Sequence, residues 1–230
     1  MHEFSYWVGI DTPDVPPDHI AAFNDFYSSV HLPEVLANNP EFRSVDRYEL
    51  TQPDARGDLG PRWLARYTLD AERAGQHIRD NTTPGDRGSY TPFPAGIETV
   101  VRWRLLWTVL STTGKPLSAA PERINLIGMD PAPDSTDEEV RDFNTFYDTI
   151  HVHEALHLMA ADNVTRYEIA RTYLPEGQPP LRFAALYEFA SVQPPAKAPV
   201  GPVSDGPRAW AERKTHWRLG YTRVAEPRAV

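Results

Sequence analysis

Two short strings carry the residue types of proton-transfer chemistry. Phe23-Asn-Asp-Phe-Tyr-Ser-Ser-Val-His-Leu-Pro-Glu34 places Tyr27 one helical turn before His31 and Glu34 three residues after it. Phe143-Asn-Thr-Phe-Tyr-Asp-Thr-Ile-His-Val-His-Glu154 repeats the spacing with Tyr147, His151 and Glu154. On one helix such a spacing lets the three side chains meet. Imidazole exchanges protons near neutrality. A carboxylate beside it fixes one tautomer, and a phenol donates to developing oxyanion charge. The competing reading makes His31 a structural histidine at the edge of the helix packing face.

The proline in the first string separates the copies. Pro33 has no N–H to donate and disfavours helix at Leu32, so a break is expected near His31, with a new turn starting at Pro33. Such a break aims the imidazole at a cavity. The second string has His153 there, so its helix is expected to run straight through and leave His151 packed or exposed. His31 is therefore the first choice for a single reaction centre. The string His153-Glu154-Ala-Leu-His157 also spells H-E-x-x-H, the zinc-protease pattern. Glu154 is the partner of Glu34, however, and no G-x-x-H extension follows. The expectation is no metal and no cofactor.

The strings belong to a duplication that runs through the chain. Val8-Gly-Ile-Asp11 matches Ile127-Gly-Met-Asp130, and Arg47-Tyr-Glu49 matches Arg166-Tyr-Glu168. Arg62-Trp-Leu-Ala-Arg-Tyr-Thr-Leu69 matches Arg182-Phe-Ala-Ala-Leu-Tyr-Glu-Phe189, and Trp103-Arg-Leu-Leu-Trp-Thr108 matches Trp217-Arg-Leu-Gly-Tyr-Thr222. The halves are 1–113 and 120–230, joined by a linker over 114–119. Each half reads as a strand, a helix, two strands, a second helix and a last strand. The first helix covers 18–32, with Ile20, Phe23, Tyr27 and Val30 on one face. Its counterpart follows Ser135-Thr-Asp-Glu138, which has the form of a capping box. Strands are expected at 6–11, 44–50, 61–69 and 99–111, then at 164–172, 181–189 and 216–224. Second helices are expected at 70–80 and 205–214. The order β-α-β-β-α-β is the ferredoxin-like motif of an α+β fold. One sheet face of each half is left apolar, with Trp63, Ala65 and Tyr67 beside Trp103, Leu105 and Trp107. The other copy is expected to cover it, giving an intrachain pseudo-dimeric barrel.

Arg47 and Arg166 sit in strands beside Tyr48 and Tyr167, and one of each pair faces the barrel interior. An interior Arg would clamp a carboxylate or phenolate. The alternative pairs them in solvent with Glu49 and Glu168. Trp103 and Trp217 belong to the core and could also wall a flat aromatic ligand. Asp11 and Asp130 end the first strands as turn caps. The Pro-rich run 193–202 is a stiff surface loop able to cover a cavity mouth.

Composition bounds the rest. A chain of 230 residues with 40% hydrophobic residues can build a packed core. The absence of Cys excludes disulfides, thiolate metal sites and a Cys nucleophile. A net charge of −9 argues against nucleic acid as a partner. No apolar run reaches membrane-spanning length, and the start is too short and acidic for a signal peptide, so a cytoplasmic protein is expected.

Residues 26–36, Phe-Tyr-Ser-Ser-Val-His-Leu-Pro-Glu-Val-Leu, resemble the first-helix signature of the dimeric α+β barrel superfamily. The likeness is greatest to its EthD-like branch, in a tandem form. It is specific at 23–36 and weaker at 143–154. The resemblance implies a small-molecule enzyme on an apolar, aromatic or polyketide-like substrate, working by cofactor-free decarboxylation, dehydration or cyclisation. A homodimer of the tandem unit is compatible with it. Two alternatives stay open. One is haem chemistry of the chlorite dismutase kind, with His151 or His157 as the proximal ligand. The other is a non-catalytic binding barrel.

Overall fold

The computed structural model describes residues 3–69, 90–172, 181–193 and 200–224. Eight strands form one closed antiparallel barrel. They are β1 (Phe4–Asp11), β2 (Phe42–Gln52), β3 (Trp63–Leu69), β4 (Val100–Gly114), β5 (Arg123–Asp130), β6 (Asn163–Thr172), β7 (Phe183–Phe189) and β8 (Lys214–Arg223). Their order around the barrel is β1-β3-β2-β8-β5-β7-β6-β4. The first four strands of the chain are contiguous, and so are the last four. The halves close on each other through β2 with β8 and β4 with β6. No helix among the described residues is long and apolar enough to cross a membrane.

Outside the barrel, α1 (His19–Phe26) and α2 (Leu32–Asn38) pack on the first half, and α3 (Asp137–Phe146) and α4 (Val152–Met159) on the second. A single turn, α5 (Arg208–Ala211), is all that forms of the helix expected over 205–214. The helix expected over 70–80 lies outside the described residues. The capping box of α3 falls one residue later than Ser135. Thr136 Oγ1 accepts from the Glu139 N–H at 3.3 Å, and Glu139 accepts from the Thr136 N–H at 2.8 Å.

The break expected at Pro33 does not occur. Tyr27–His31 is a π-helical turn that leads into α2 without interruption. Tyr147–His151 is a π-helical turn of the same length, although no proline follows it. The two copies are alike where they were expected to differ. In each turn a hydroxyl at matching positions, Ser29 or Thr149, donates to the carbonyl four residues earlier. That bond satisfies a carbonyl which the wider helical turn leaves over.

The phase of one strand also differs from expectation. Trp103, Leu105 and Trp107 face the barrel interior with Trp7, Leu64, Tyr48 and Tyr167. Trp63, Ala65 and Tyr67 face outward and pack under α1. It is Leu64 and Arg66 of β3 that point inward, opposite Tyr48 and Trp7. Trp103 and Trp217 stack on each other inside the barrel at 5.2 Å between ring centroids.

Because each half alone would expose an aromatic interior face and two unpaired strand edges, cleavage of the chain at Lys115 should give insoluble halves when they are expressed singly. Co-expression should restore a soluble complex, read by co-purification and circular dichroism.

Candidate functional site

Each helix pair is fixed to its sheet by one arginine. Arg47 of β2 donates to the side chain of Asn24 at 3.0 Å and to Ser28 Oγ at 3.0 Å. Its guanidinium lies 4.2 Å from the centre of the Tyr27 ring. Arg166 of β6 donates to Asn144 Oδ1 at 2.7 Å and lies 4.1 Å from the Tyr147 ring centre. Both arginines are buried under the helices. The barrel-facing residues are Tyr48 and Tyr167, so neither interior position nor solvent pairing with Glu49 or Glu168 describes Arg47 and Arg166. Glu49 and Glu168 pair instead with Arg62 and Arg182. Among the described residues only the second clamp contains an acid: Asp148 Oδ1 lies 2.9 Å from Arg166, where the first clamp has the Ser28 hydroxyl. Burial lowers the pKa of Arg47 to about 10, against the opposing pull of Tyr27, Tyr67 and Glu49.

The π turns place Tyr27 beside His31 at 4.8 Å, and Tyr147 beside His151 at 5.0 Å, ring to ring. The phenols lie deeper. Tyr147 and Tyr187 share a hydroxyl–hydroxyl bond of 2.8 Å, and burial raises the pKa of Tyr27 and Tyr147. Each imidazole has a buried Nδ1 with no hydrogen-bond partner among the described residues. Burial lowers the pKa of both histidines. Glu34 opposes this at His31 and Arg47 adds to it. At His151 the nearby Arg213 adds to burial and the value falls to about 4. Both imidazoles are therefore neutral at pH 7.

The glutamates serve a second purpose that the sequence did not reveal. Glu34 accepts the Thr91 N–H at 2.9 Å and the Thr91 hydroxyl. Glu154 accepts the Ser204 N–H at 3.0 Å and the Ser204 hydroxyl. Thr91 and Ser204 lie in the straps that lead into β4 and β8. Each strap lays an aromatic ring on the imidazole: Phe93 at 5.4 Å from His31, and Trp210 at 4.2 Å from His151. Gly206 makes room for the second, because a Cβ there would meet Trp210 at 2.3 Å. With both carboxylates latched, Glu154 Oε2 stands 3.8 Å from His151 Nδ1, too far for a hydrogen bond. Thr91, Ser204, Phe93 and Trp210 fall outside the matched blocks, and no spacing signal marks them. Asn24 and Asn144 fall inside the blocks and were legible there.

The remaining candidates lie apart. Trp103 and Trp217 fill the barrel, separated from the histidines by the sheet. Asp11 and Asp130 accept the Arg62 and Arg182 N–H groups and pair with Arg102 and His216. His153 and His157 are exposed on α4, and no group of three potential metal ligands converges among the described residues. Most of the Pro-rich run 193–202 lies outside the described residues.

The chain matches no family model and no curated protein. Solved structures do resemble it. One is a protein provisionally described as a chlorite dismutase, with 14% identity, a TM-score of 0.52, and 98% of this chain and 96% of that one covered. Another is a mutant chlorite dismutase from Candidatus Nitrospira defluvii in complex with cyanide, with 11% identity, a TM-score of 0.53, and coverage of 97% and 91%. The same enzyme in complex with imidazole gives 11% identity, a TM-score of 0.51, and again 97% and 91%. This chain shares their barrel fold. The likeness extends over both halves and says nothing of chemistry.

Haem is a poor fit to the described residues. His151 is covered by Trp210, Tyr147 and Phe146. The space between α3 and the sheet behind it is filled by Phe143, Phe183 and Tyr187, all fully buried. His157 stands on the surface beside Gly201.

The lowered histidine pKa values set a pH dependence. A histidine with an unfolded pKa of 6.5 and a folded value of about 4 stays neutral in the fold while the unfolded chain takes up a proton. Its contribution is fully present above 6.5 and is lost as the pH falls towards 4. With a discount for partial exposure, His151 should cost on the order of 1–3 kcal/mol of stability over that interval. Denaturant unfolding at pH 7.0, 5.5 and 4.5 should show the loss, and His151→Gln should flatten it.

Proposed function

We propose that the chain is a tandem pseudo-dimer of two ferredoxin-like repeats, 1–113 and 120–230 about a linker at 114–119, that catalyses cofactor-free acid/base chemistry on a small aromatic or polyketide-like molecule. The observation that carries this reading is the duplicated imidazole site. In each half a half-buried, neutral imidazole, its buried Nδ1 without a partner among the described residues, lies between a helix tyrosine and an aromatic ring of a latched strap. Phe93 and Trp210 occupy the positions a flat substrate ring would take when a strap opens. A neutral imidazole is the base form required to abstract a proton.

The first half is the better centre. Its imidazole is packed less tightly by its strap, and Tyr90 in that strap is exposed. Arg47 lacks the acid that neutralises Arg166, so its charge is free to stabilise a carboxylate or enolate beside Tyr27. His31 is then the acid/base, Tyr27 the residue that positions Arg47, and Glu34 the latch, which turns to His31 when Thr91 leaves. His151, Glu154 and Tyr147 form the second, more closed copy. The EthD-like resemblance at 26–36, a cytoplasmic location and a homodimer belong to the same reading. The exposed Val100, Val101 and Leu110 of β4 are apolar groups available for that contact.

Aromatic β-keto acids supply both a ring and a carboxylate, and their decarboxylation is read by ultraviolet absorbance and released carbon dioxide. His31→Ala should lower turnover by about 10²–10⁴, the usual worth of a positioned acid/base, with His151→Ala much less affected. The reverse ranking moves the centre to the second half. No turnover across the panel, or equal small effects, favours the binding barrel. Haem uptake is the competing reading, and the packing around His151 counts against it. Titration with haemin should give no saturable one-to-one Soret shift, and a shift abolished by His151→Ala would establish that reading instead.

A further inference from the structure

Arg66, Asp46 and Glu188 meet inside one mouth of the barrel, where β1, β2 and β6 begin and β3, β4 and β7 end. Arg66 of β3 donates to Glu188 of β7 at 2.7 Å and to Asp46 of β2 at 3.0 Å. Asn163 of β6 donates to the other oxygen of Glu188 at 2.8 Å. Arg66 and Glu188 are only 8% and 9% exposed, so their charges face each other and not water. β3 and β7 stand four places apart in the closed order of eight strands, so this ion pair crosses the interior from one half to the other. The mouth also holds Arg43 and Glu3, both exposed and both from the first half. Of the residues that line it, the second half contributes Thr165, Tyr167 and Glu188, and no cation.

The backbone does not decide which half pairs with which. Both seams use one register: Glu49 lies opposite Thr222, and its repeat partner Glu168 lies opposite Thr108. Two first halves from different chains could close the same strand ladder, with Glu49 of one opposite Thr108 of the other. The choice falls to the side chains. In the repeat register Leu186 stands where Arg66 does, Thr68 where Glu188 does, and Thr165 where Asp46 does. A barrel of two second halves would bury two Glu188 carboxylates opposite Leu186, with no guanidinium between them. A barrel of two first halves would set both Arg66 side chains opposite Thr68. First half with second half alone sets Arg66 opposite Glu188. A buried charge without its partner is strongly unfavourable, and such a mismatch rejects the wrong partner. Size acts in the same direction. Trp7 and Leu64 fill the interior from the first half where Leu126 and Ala184 stand in the second.

We propose that Arg66 and Glu188 select the partner of each half: they fit its inner face to the opposite half and reject a second copy of itself. The proposal rests on the tandem reading of the chain. The selection acts during folding. Before the barrel closes, the aromatic inner faces of neighbouring chains are exposed to one another, and a wrong pair would link two chains.

Cysteine trapping on the full chain tests it, since the chain has no Cys of its own. In E49C/T222C the native seam should give an intrachain disulfide. In E49C/T108C the two thiols lie on strands separated by β3 and β1, so a 49–108 disulfide between chains, identified by peptide mapping, marks two first halves paired together. Refolding under oxidation at about 0.1 mM competes with a tether whose effective concentration is on the order of 1 mM, so complete loss of selection would send roughly a tenth of the chains into this linked dimer. With Arg66 and Glu188 in place the yield should stay at least about tenfold below that. Adding D46T/R66L/E188T gives both halves the same residues at the three positions and should raise the yield at least about tenfold over the unaltered pairing residues. Glu188→Gln removes the anion and leaves Arg66 paired with Asp46. It should raise the yield too, which keeps the test decisive if the triple variant does not fold. Phe183→Leu, a destabilising change on the helix side of the sheet, should leave the yield unchanged. The proposal is overturned by a yield near a tenth with Arg66 and Glu188 in place, by folded variants that show no rise, or by an equal rise in Phe183→Leu. Absence of the 49–222 disulfide would overturn the pairing of the halves itself, and this proposal with it.

Discussion

Closure of the barrel is the constraint on which the rest of the structure depends. Pairing β2 with β8 and β4 with β6 removes every strand edge, and both faces of β3 and β7 are buried. One face packs under helices. The other meets Trp7, Trp103, Trp107, Trp217 and Tyr221 in the interior. An interior filled by side chains of this size leaves no central ligand chamber. Polar chemistry is displaced to two kinds of place: the seams between helix and sheet, where the histidines sit, and the mouth, where Arg66 sits.

The helix seams show how little is needed to hold an irregular turn. A hydroxyl back-bond at Ser29 or Thr149, and an arginine that reads the Asn24 or Asn144 side chain, are present in both copies. Together they fix the π turn at both its carbonyls and its outer face. The imidazole then emerges at the same point in each half, whatever follows it in sequence. The glutamate three residues on is held by the strap in both copies, through the two donors of Thr91 or Ser204, and in the second copy it stands 3.8 Å from the imidazole nitrogen.

A duplicated chain contains its own comparison. The Asn–Arg clamp, present twice, ties helix to sheet in both copies and is accounted for by the shared fold. Features present once need another reason. Ser28 in place of Asp148 leaves Arg47 without a carboxylate, and Arg66 in place of Leu186 puts a charge inside the barrel. Both asymmetries lie in the first half, and both leave hydrogen-bonding or electrostatic capacity unspent.

The amino-acid sequence by itself carried the matched blocks, the positions of the expected strands to within a few residues, and the grouping of Tyr, His and Glu on one helix. These follow from blocks matched in one order at shifts of 114 to 120 residues and from local periodicity, which need no partner. Tertiary structure alone decided which face of β3 points inward, because Trp63, Leu64, Ala65 and Tyr67 are apolar on both faces and alternation carries no phase when both sides are buried. It alone turned Arg47 and Arg166 towards the helices, since the choice between arginine and tyrosine for the interior is settled by the neighbours across the strand. It overruled Pro33: the wider helical turn is stabilised by Ser29 and by the sheet beneath it, and the same geometry at His153 needs no proline. The straps and the mouth are contacts between distant segments, Glu34 with Thr91 and Arg66 with Glu188, and no local pattern encodes a pair that only barrel closure brings together.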